Sequence, residues 1–164
     1  MLKKILFNLL FFSVFTHAFS QEINGVPIVI DGDTLKFGKE RVRLLGIDSP
    51  EILQECKKIY LQIAFLTFSK DYKCGIISKL KLKNYINGKE VKCVYNSRDR
   101  YKRPIANCYL KKTNINSWMV KNGYAIAYRK YSKKYVFYEK YAKKNKLGIW
   151  SGSFIEPEIW RKNN

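Results

Sequence analysis

Two cysteines, Cys93 and Cys108, stand in the runs KEVKCVYN and RPIANCYLKK, which flank the turn SRDRYK. Folded as a hairpin centred between Arg100 and Tyr101, these runs put the cysteines directly opposite each other, where strand neighbours come within disulfide reach. Of the three pairings that four cysteines allow, this geometry favours Cys93 with Cys108. It leaves Cys56 with Cys74, closing a loop around the start of a helix. Each bridge stabilises by about 2 to 4 kcal/mol. Zinc on four thiolates is the rival arrangement, but no CxxC knuckle is present to support it.

An even set of cysteines suits an oxidising compartment, and the beginning of the chain agrees. Residues 1–20, MLKKILFNLLFFSVFTHAFS, have two lysines near the start, an apolar run from Ile5 to Phe15, and small residues at Ala18 and Ser20. That is the layout of a secretory signal peptide with a cut before Gln21. The apolar run is too short for a membrane anchor, which takes roughly 20 residues. The expected organisation is a signal peptide over 1–20 and one domain over 21–164, secreted or periplasmic.

The chain has 32 basic and 13 acidic residues, and the leader holds Lys3 and Lys4 but no acid, so the remainder carries +17. Such an excess points to a polyanionic partner. The single histidine, His17, lies in the leader. A hydrolase built from the rest has no Ser-His or Cys-His machinery and no histidine-ligated zinc. Carboxylates and arginines remain.

From Val26 to Ile47 short β runs alternate with turn signals: VPIVI, DGD, TLKF, GKE, RVRLLGI. From about Tyr60 to Ile86 the apolar spacing turns helical, with a loop expected near Asp71–Gly75 and a helix after it. Next come the cysteine hairpin, a helix capped by Asn116 and ended by Gly123, and a last helix over roughly Tyr135–Lys146. Strands, helix, hairpin and two more helices predict an α+β fold, a five-stranded OB-fold β-barrel packed with about three α-helices.

Six of the 13 acids fall within residues 31–55. Asp33 and Asp48 end β runs, and Glu51 follows Asp48 across a turn stiffened by Pro50. Carboxylates gathered this way repel one another unless a cation sits among them. The donors are all oxygens, which favours Ca²⁺ or Mg²⁺. Arg43 and Arg103 supply guanidinium forks that suit phosphate oxygens. Metal, arginines and one free carboxylate suffice for phosphodiester hydrolysis without imidazole.

The runs DGDT, RLLGIDSPE, DRYKRP, NSWMVKNGYAIAY and KLGIW, in that order over about residues 27–150, resemble the staphylococcal nuclease (thermonuclease) family. The resemblance implies an OB-fold and a Ca²⁺-dependent, largely sequence-nonspecific endonuclease acting on DNA and RNA, leaving 3′-phosphate ends. It implies Asp33, Asp48 and the main-chain carbonyl of Ser49 as metal ligands, with Asp31 nearby. Glu51 takes the place of the carboxylate that activates water, and Arg43 and Arg103 the places of the arginines on the scissile phosphate. Arg100 and Tyr101 match contacts to a terminal phosphate. Of the tyrosines at 124, 128 and 131, Tyr128 is the choice for stacking a base.

One departure stands out. Lys102 replaces a family glycine, which suggests a positive φ that lysine adopts at a cost, and it leaves the placing of Arg103 open. A catalytically inactive nucleic-acid-binding OB module is the alternative function, though a pure binder has no need of Glu51. A membrane-active cationic protein would require an amphipathic helix with a coherent apolar face, which the chain does not offer. The expectation is therefore a monomer acting on nucleic acid, without a stable protein partner and without a membrane once the leader is removed.

Overall fold

The computed structural model describes residues 20–164, so the expected leader lies outside the described residues. The chain opens with strands β1 (Gln21–Gly25), β2 (Ile28–Val29), β3 (Thr34–Phe37), β4 (Glu40–Leu44) and β5 (Ile47–Asp48). There follow β6 (Cys56–Ile63), β7 (Leu66–Tyr72) and helix α1 (Cys74–Ile86). The hairpin β8 (Val91–Arg98) and β9 (Pro104–Leu110) leads through β10 (Thr113–Asn114) to α2 (Ile115–Lys121). The remainder is β11 (Ile126–Ala127), α3 (Val136–Lys144), a 3-10 turn (Gly148–Ser151), β12 (Gly152–Ser153) and α4 (Pro157–Asn163).

The main sheet has the order β1-β8-β9-β4-β3-β2, with β10 added on β9. All its pairs are antiparallel except β4 with β9. It curls until β1 and β3 touch, giving the expected OB-like α+β fold. Alternation dictates the core: in β9, Pro104, Ala106, Cys108 and Leu110 face inward while the residues between them are partly exposed. Those side chains meet Leu35, Val42, Leu44 and Val91 from the sheet, Leu82 and Ile86 from α1, and Ile115, Met119 and Val120 from α2.

Both expected disulfides are present, Cys56–Cys74 and Cys93–Cys108. The β8–β9 register sets Cys93 opposite Cys108, which is the opposition that the flanking runs imply. The stretch from Tyr60 to Asp71 corrects an expectation, since it is a β-hairpin and not helical. Its β-branched and aromatic residues, among them Ile59, Tyr60, Ile63, Thr67 and Phe68, favour extended backbone. The apolar residues there are exposed and pack no helical face. The helix begins at Cys74, close to where it was expected.

A second correction concerns Asn116. The cap of α2 is Asn114, whose side chain accepts from Ser117 N at 2.7 Å. Asn116 lies fully buried inside the helix, donating to Leu45 O and Ala106 O at 3.0 Å and accepting from Cys108 N at 3.1 Å. Its amide satisfies main-chain groups where β9 and the residue following β4 part company. Gly123, φ +70, follows the helix end as expected. Helix α4 has no counterpart among the three expected helices.

Glu139 of α3 is buried, accepts from Ala127 N at 3.1 Å and pairs with Arg129 and, at 3.4 Å, with Lys143. Ala127 pairs in turn with Ile47, and Ile126 with Asp48. The acid thus anchors the strand that lies along β5. Burial works against its charge, but Arg129, Lys143 and the Ala127 amide outweigh it and hold the carboxyl below its ordinary 4.5.

Two outcomes follow. Asn116→Ala leaves three buried main-chain groups without this partner and should lower unfolding free energy by about 2 to 3 kcal/mol in urea titrations. Glu139→Gln should cost about 2 kcal/mol at pH 7. Because the folded acid is the stronger one, its contribution is present above pH 4.5 and lost as pH falls through the folded value. The gap between parent and variant melting temperatures should close as pH is lowered below 4.5.

Candidate active site

The turn Asp31–Asp33 and strands β3, β4 and β5 bring three carboxylates toward one guanidinium. Arg43, opposite Thr34 in the β3–β4 ladder, donates to Asp33 Oδ1 and, at 2.7 Å, to Asp48 Oδ1. Asp33 Oδ2 accepts from Ser49 N at 2.7 Å. Asp31 Oδ1 accepts from Asp33 N at 2.9 Å. Asp33 and Asp48 are 1% and 0% exposed, so neither charge is offset by bulk water.

The electrostatics follow from this crowding. Burial, and then repulsion from Asp33, pushes the Asp31 carboxyl up to about 7. Burial also raises Asp48, with Asp33 adding to it against the pull of Arg161 and Arg43. Burial opposes the charge of Arg43, but Asp33 and Asp48 outweigh it and hold the guanidinium above its ordinary value. Three carboxylates share this spot with more negative charge than Arg43 alone neutralises.

Glu51 is held by its own loop. Its N donates to Gln54 Oε1 at 3.2 Å and its O accepts from Gln54 N at 2.8 Å. Buried Gln54 also donates to Ile155 O at 2.6 Å, tying the loop to the segment before α4. Gly75, at the start of α1, lies directly against the Glu51 carbonyl: a Cβ there would sit 1.6 Å from that oxygen. Only glycine allows this approach.

Arg161 of α4 completes the cluster. It donates to Asp48 at 3.0 and 2.9 Å through its two terminal nitrogens, and to Glu51 Oε1 at 2.7 Å. Burial works against its charge, and these two acids outweigh it, raising the guanidinium above its ordinary value. Sequence reading missed this residue. The available signal was Pro157 at a helix start with Arg161 one turn further on, but nothing in that run says the helix folds back over residues 48–51.

The turn after β8 settles the question of Lys102. The residue takes φ +64, as the glycine it replaces implied. Asp99 closes it, accepting from Tyr101 N and Arg103 N at 2.9 Å. Its second oxygen takes Arg103 Nε at 2.7 Å, so one acid offsets the local strain and aims the arginine. Arg100 and Arg103 both lie against the Tyr101 ring, 5.0 and 5.4 Å from its centre.

Asp31, Asp33, Arg43, Ser49, Glu51, Arg100, Tyr101, Arg103 and Tyr128 line one open cleft of about 810 Å³, together with Lys130, Tyr131, Arg161 and Lys162. Asp48 lies beneath it, covered by Arg43 and Arg161. Tyr128 stands 5.0 Å from Tyr131, ring to ring. Tyr124 is elsewhere: it packs on Trp118 beside the core and does not enter the cleft.

Asp33, Asp48 and the Ser49 carbonyl offer only oxygen donors, and burial with repulsion from Asp33 works against the Asp48 charge, which fits a hard divalent cation. Among the described residues no group of three or more His, Cys, Asp and Glu side chains is placed to hold a metal. The fit thus rests on two carboxylates and main-chain oxygen, with Arg43 and Arg161 as the counter-charges such an ion would share them with.

Comparisons with known proteins identify the family. The family described as staphylococcal nuclease homologue matches residues 41–152. That span includes Arg43, Asp48, Glu51 and Arg103, begins after Asp33 and ends before Arg161. A Haemophilus influenzae protein named an uncharacterized endonuclease is 36% identical over 98% of this chain and 86% of its own length. An Escherichia coli O157:H7 protein of the same name is 33% identical, over 85% of this chain and 86% of its own. A Shigella flexneri micrococcal nuclease is 33% identical over 82% and 77%. With its curled sheet and arginine-carboxylate cleft, this chain belongs to the staphylococcal nuclease family and is a nuclease.

Proposed function

We propose that this nuclease is an exported, Ca²⁺-dependent endonuclease that cleaves DNA and RNA with little sequence preference and leaves 3′-phosphate ends. The observation that carries the reading is the convergence of Arg43, Glu51 and Arg103 on one open cleft above Asp33 and Asp48. Export, with residues 1–20 as leader and 21–164 as the working domain, is supported by the two disulfides.

Asp33, Asp48 and the Ser49 carbonyl would hold the ion, which when bound neutralises a phosphate oxygen and lowers the cost of bringing it among these acids. Arg43 and Arg103 bind the scissile phosphate and supply fixed positive charge as its fifth oxygen bond forms. Glu51 orients a water and accepts its proton. The new bond joins water oxygen to phosphorus, the bond to the 5′ oxygen breaks, and that oxygen takes a proton to leave as a hydroxyl. Arg100, Tyr101 and Tyr128 receive the neighbouring phosphate and base. Net positive charge speeds encounter with the polyanion.

The assay is incubation with plasmid and single-stranded nucleic acid in Ca²⁺ or chelator, followed by fragment sizing and end analysis. Ca²⁺-dependent cutting to 3′-phosphate ends is expected. Binding without cutting would support the inactive OB module instead. Glu51→Gln should lower kcat by roughly 10²- to 10⁴-fold with little change in KM, and full retention of activity would remove Glu51 from the mechanism.

Arg161 enters as the counter-ion that holds Asp48 and Glu51 together while no other cation does. Its removal leaves Asp48 to Arg43 alone, so Arg161→Ala should cost about 1 to 3 kcal/mol of stability in chelator. Calcium should then raise the melting temperature of the variant more than that of the parent, because the ion binds acids that have lost a competing charge. Equal shifts would show that Arg161 and the ion do not share Asp48.

A further inference from the structure

The hairpin β6–β7 stands apart from the cleft. Only its base is paired, Lys57 and Lys58 lying beside Ser153 and Gly152 of β12. Beyond that, residues 59–69, IYLQIAFLTFS, contain no charged side chain. The register sets Leu61 opposite Phe68 and Ile63 opposite Leu66, so these four share one face, while Gln62 and Thr67 share the other. All four apolar residues are between 41% and 57% exposed, and Phe65 at the tip is 90% exposed. Exposed lysines sit at the base: Lys57, Lys58, Lys70 and Lys73.

A contiguous exposed apolar face calls for a partner. We propose that the partner is an anionic lipid bilayer, with the uncharged tip entering the acyl boundary and the basal lysines meeting the headgroups. Three observations favour this occupant. A single-stranded nucleic acid needs positive groups interleaved with aromatics along its path, and the distal eleven residues offer none. A second copy could pair along the free edge of β7, but two chains with such net charge repel each other, and Lys70 on that edge discourages pairing. An apolar end with four lysines against two acids, Glu55 and Asp71, at its base matches the layering of an anionic interface.

The test uses the chain from Gln21, which contains every described strand and helix, sedimented with vesicles of phosphatidylcholine alone or with one third phosphatidylglycerol. Co-sedimentation with the anionic vesicles is expected. Phe65→Ser combined with Leu66→Ser should cut partitioning about tenfold or more, with cleavage of plasmid in vesicle-free buffer unchanged, which also reports an intact fold. Lys58→Glu with Lys70→Glu should erase the preference for anionic vesicles, at roughly fivefold per lysine. The proposal is overturned if the parent ignores anionic vesicles or if the serine variant partitions like the parent. It is equally overturned if the serine variant loses affinity for single-stranded DNA instead, or if it converts a dimeric parent to a monomer.

Discussion

A guanidinium that is four-fifths buried has to keep its acids, and the placement of Arg43 between Asp33 and Asp48 organises much of what surrounds it. The two acids come from different turns, so β3, β4 and β5 must all be in place before the charge is compensated. Stripping one partner from such a cluster is far more costly than losing a surface pair. Asp48 extends the linkage to β11 through the ladder and to α4 through Arg161. Stability and chemistry are here the same set of contacts, because the acids that would attract a cation are those that fold around the arginine.

The supports behind the reactive groups are less conspicuous than the groups themselves. Gln54 fastens the Glu51 loop at both ends of the loop's peptide and reaches across to Ile155. Asp99 does the same for Arg103. Each of these segments is therefore fixed by a neighbour three or four residues away, and the Glu51 loop is also tied to the end of the chain through Ile155 and Arg161.

What the sequence disclosed follows the range of the interaction. Turn-borne acids, the paired cysteines and the strand carrying Arg43 are encoded over a few residues, and they lie where expected. The positive φ at Lys102 was legible because a left-handed residue leaves a glycine in relatives. The hairpin at 56–72 was not, because apolar residues that stay largely exposed carry no reliable period; only their β-branched and aromatic character pointed to extended backbone. Asn116 was misread for a similar reason. A buried amide that joins the main chain of β9 to the residue after β4 has the same letter as a helix cap. Arg161 lies more than 100 residues from its partners in sequence, and nothing local announces such a contact.

The Cys56–Cys74 bridge joins these themes. Cys56 begins the protruding hairpin, and Cys74 begins the helix whose next residue, Gly75, lies against the carbonyl of Glu51. The bond therefore couples the base of the hairpin to the loop that carries Glu51. A thiol reductant is in effect a reagent for that loop: it frees the hairpin's first strand from the helix while leaving the Arg43 acids untouched. A change in the redox state of the surroundings would thus act next to the Glu51 backbone and away from the charges of Arg43 and its acids.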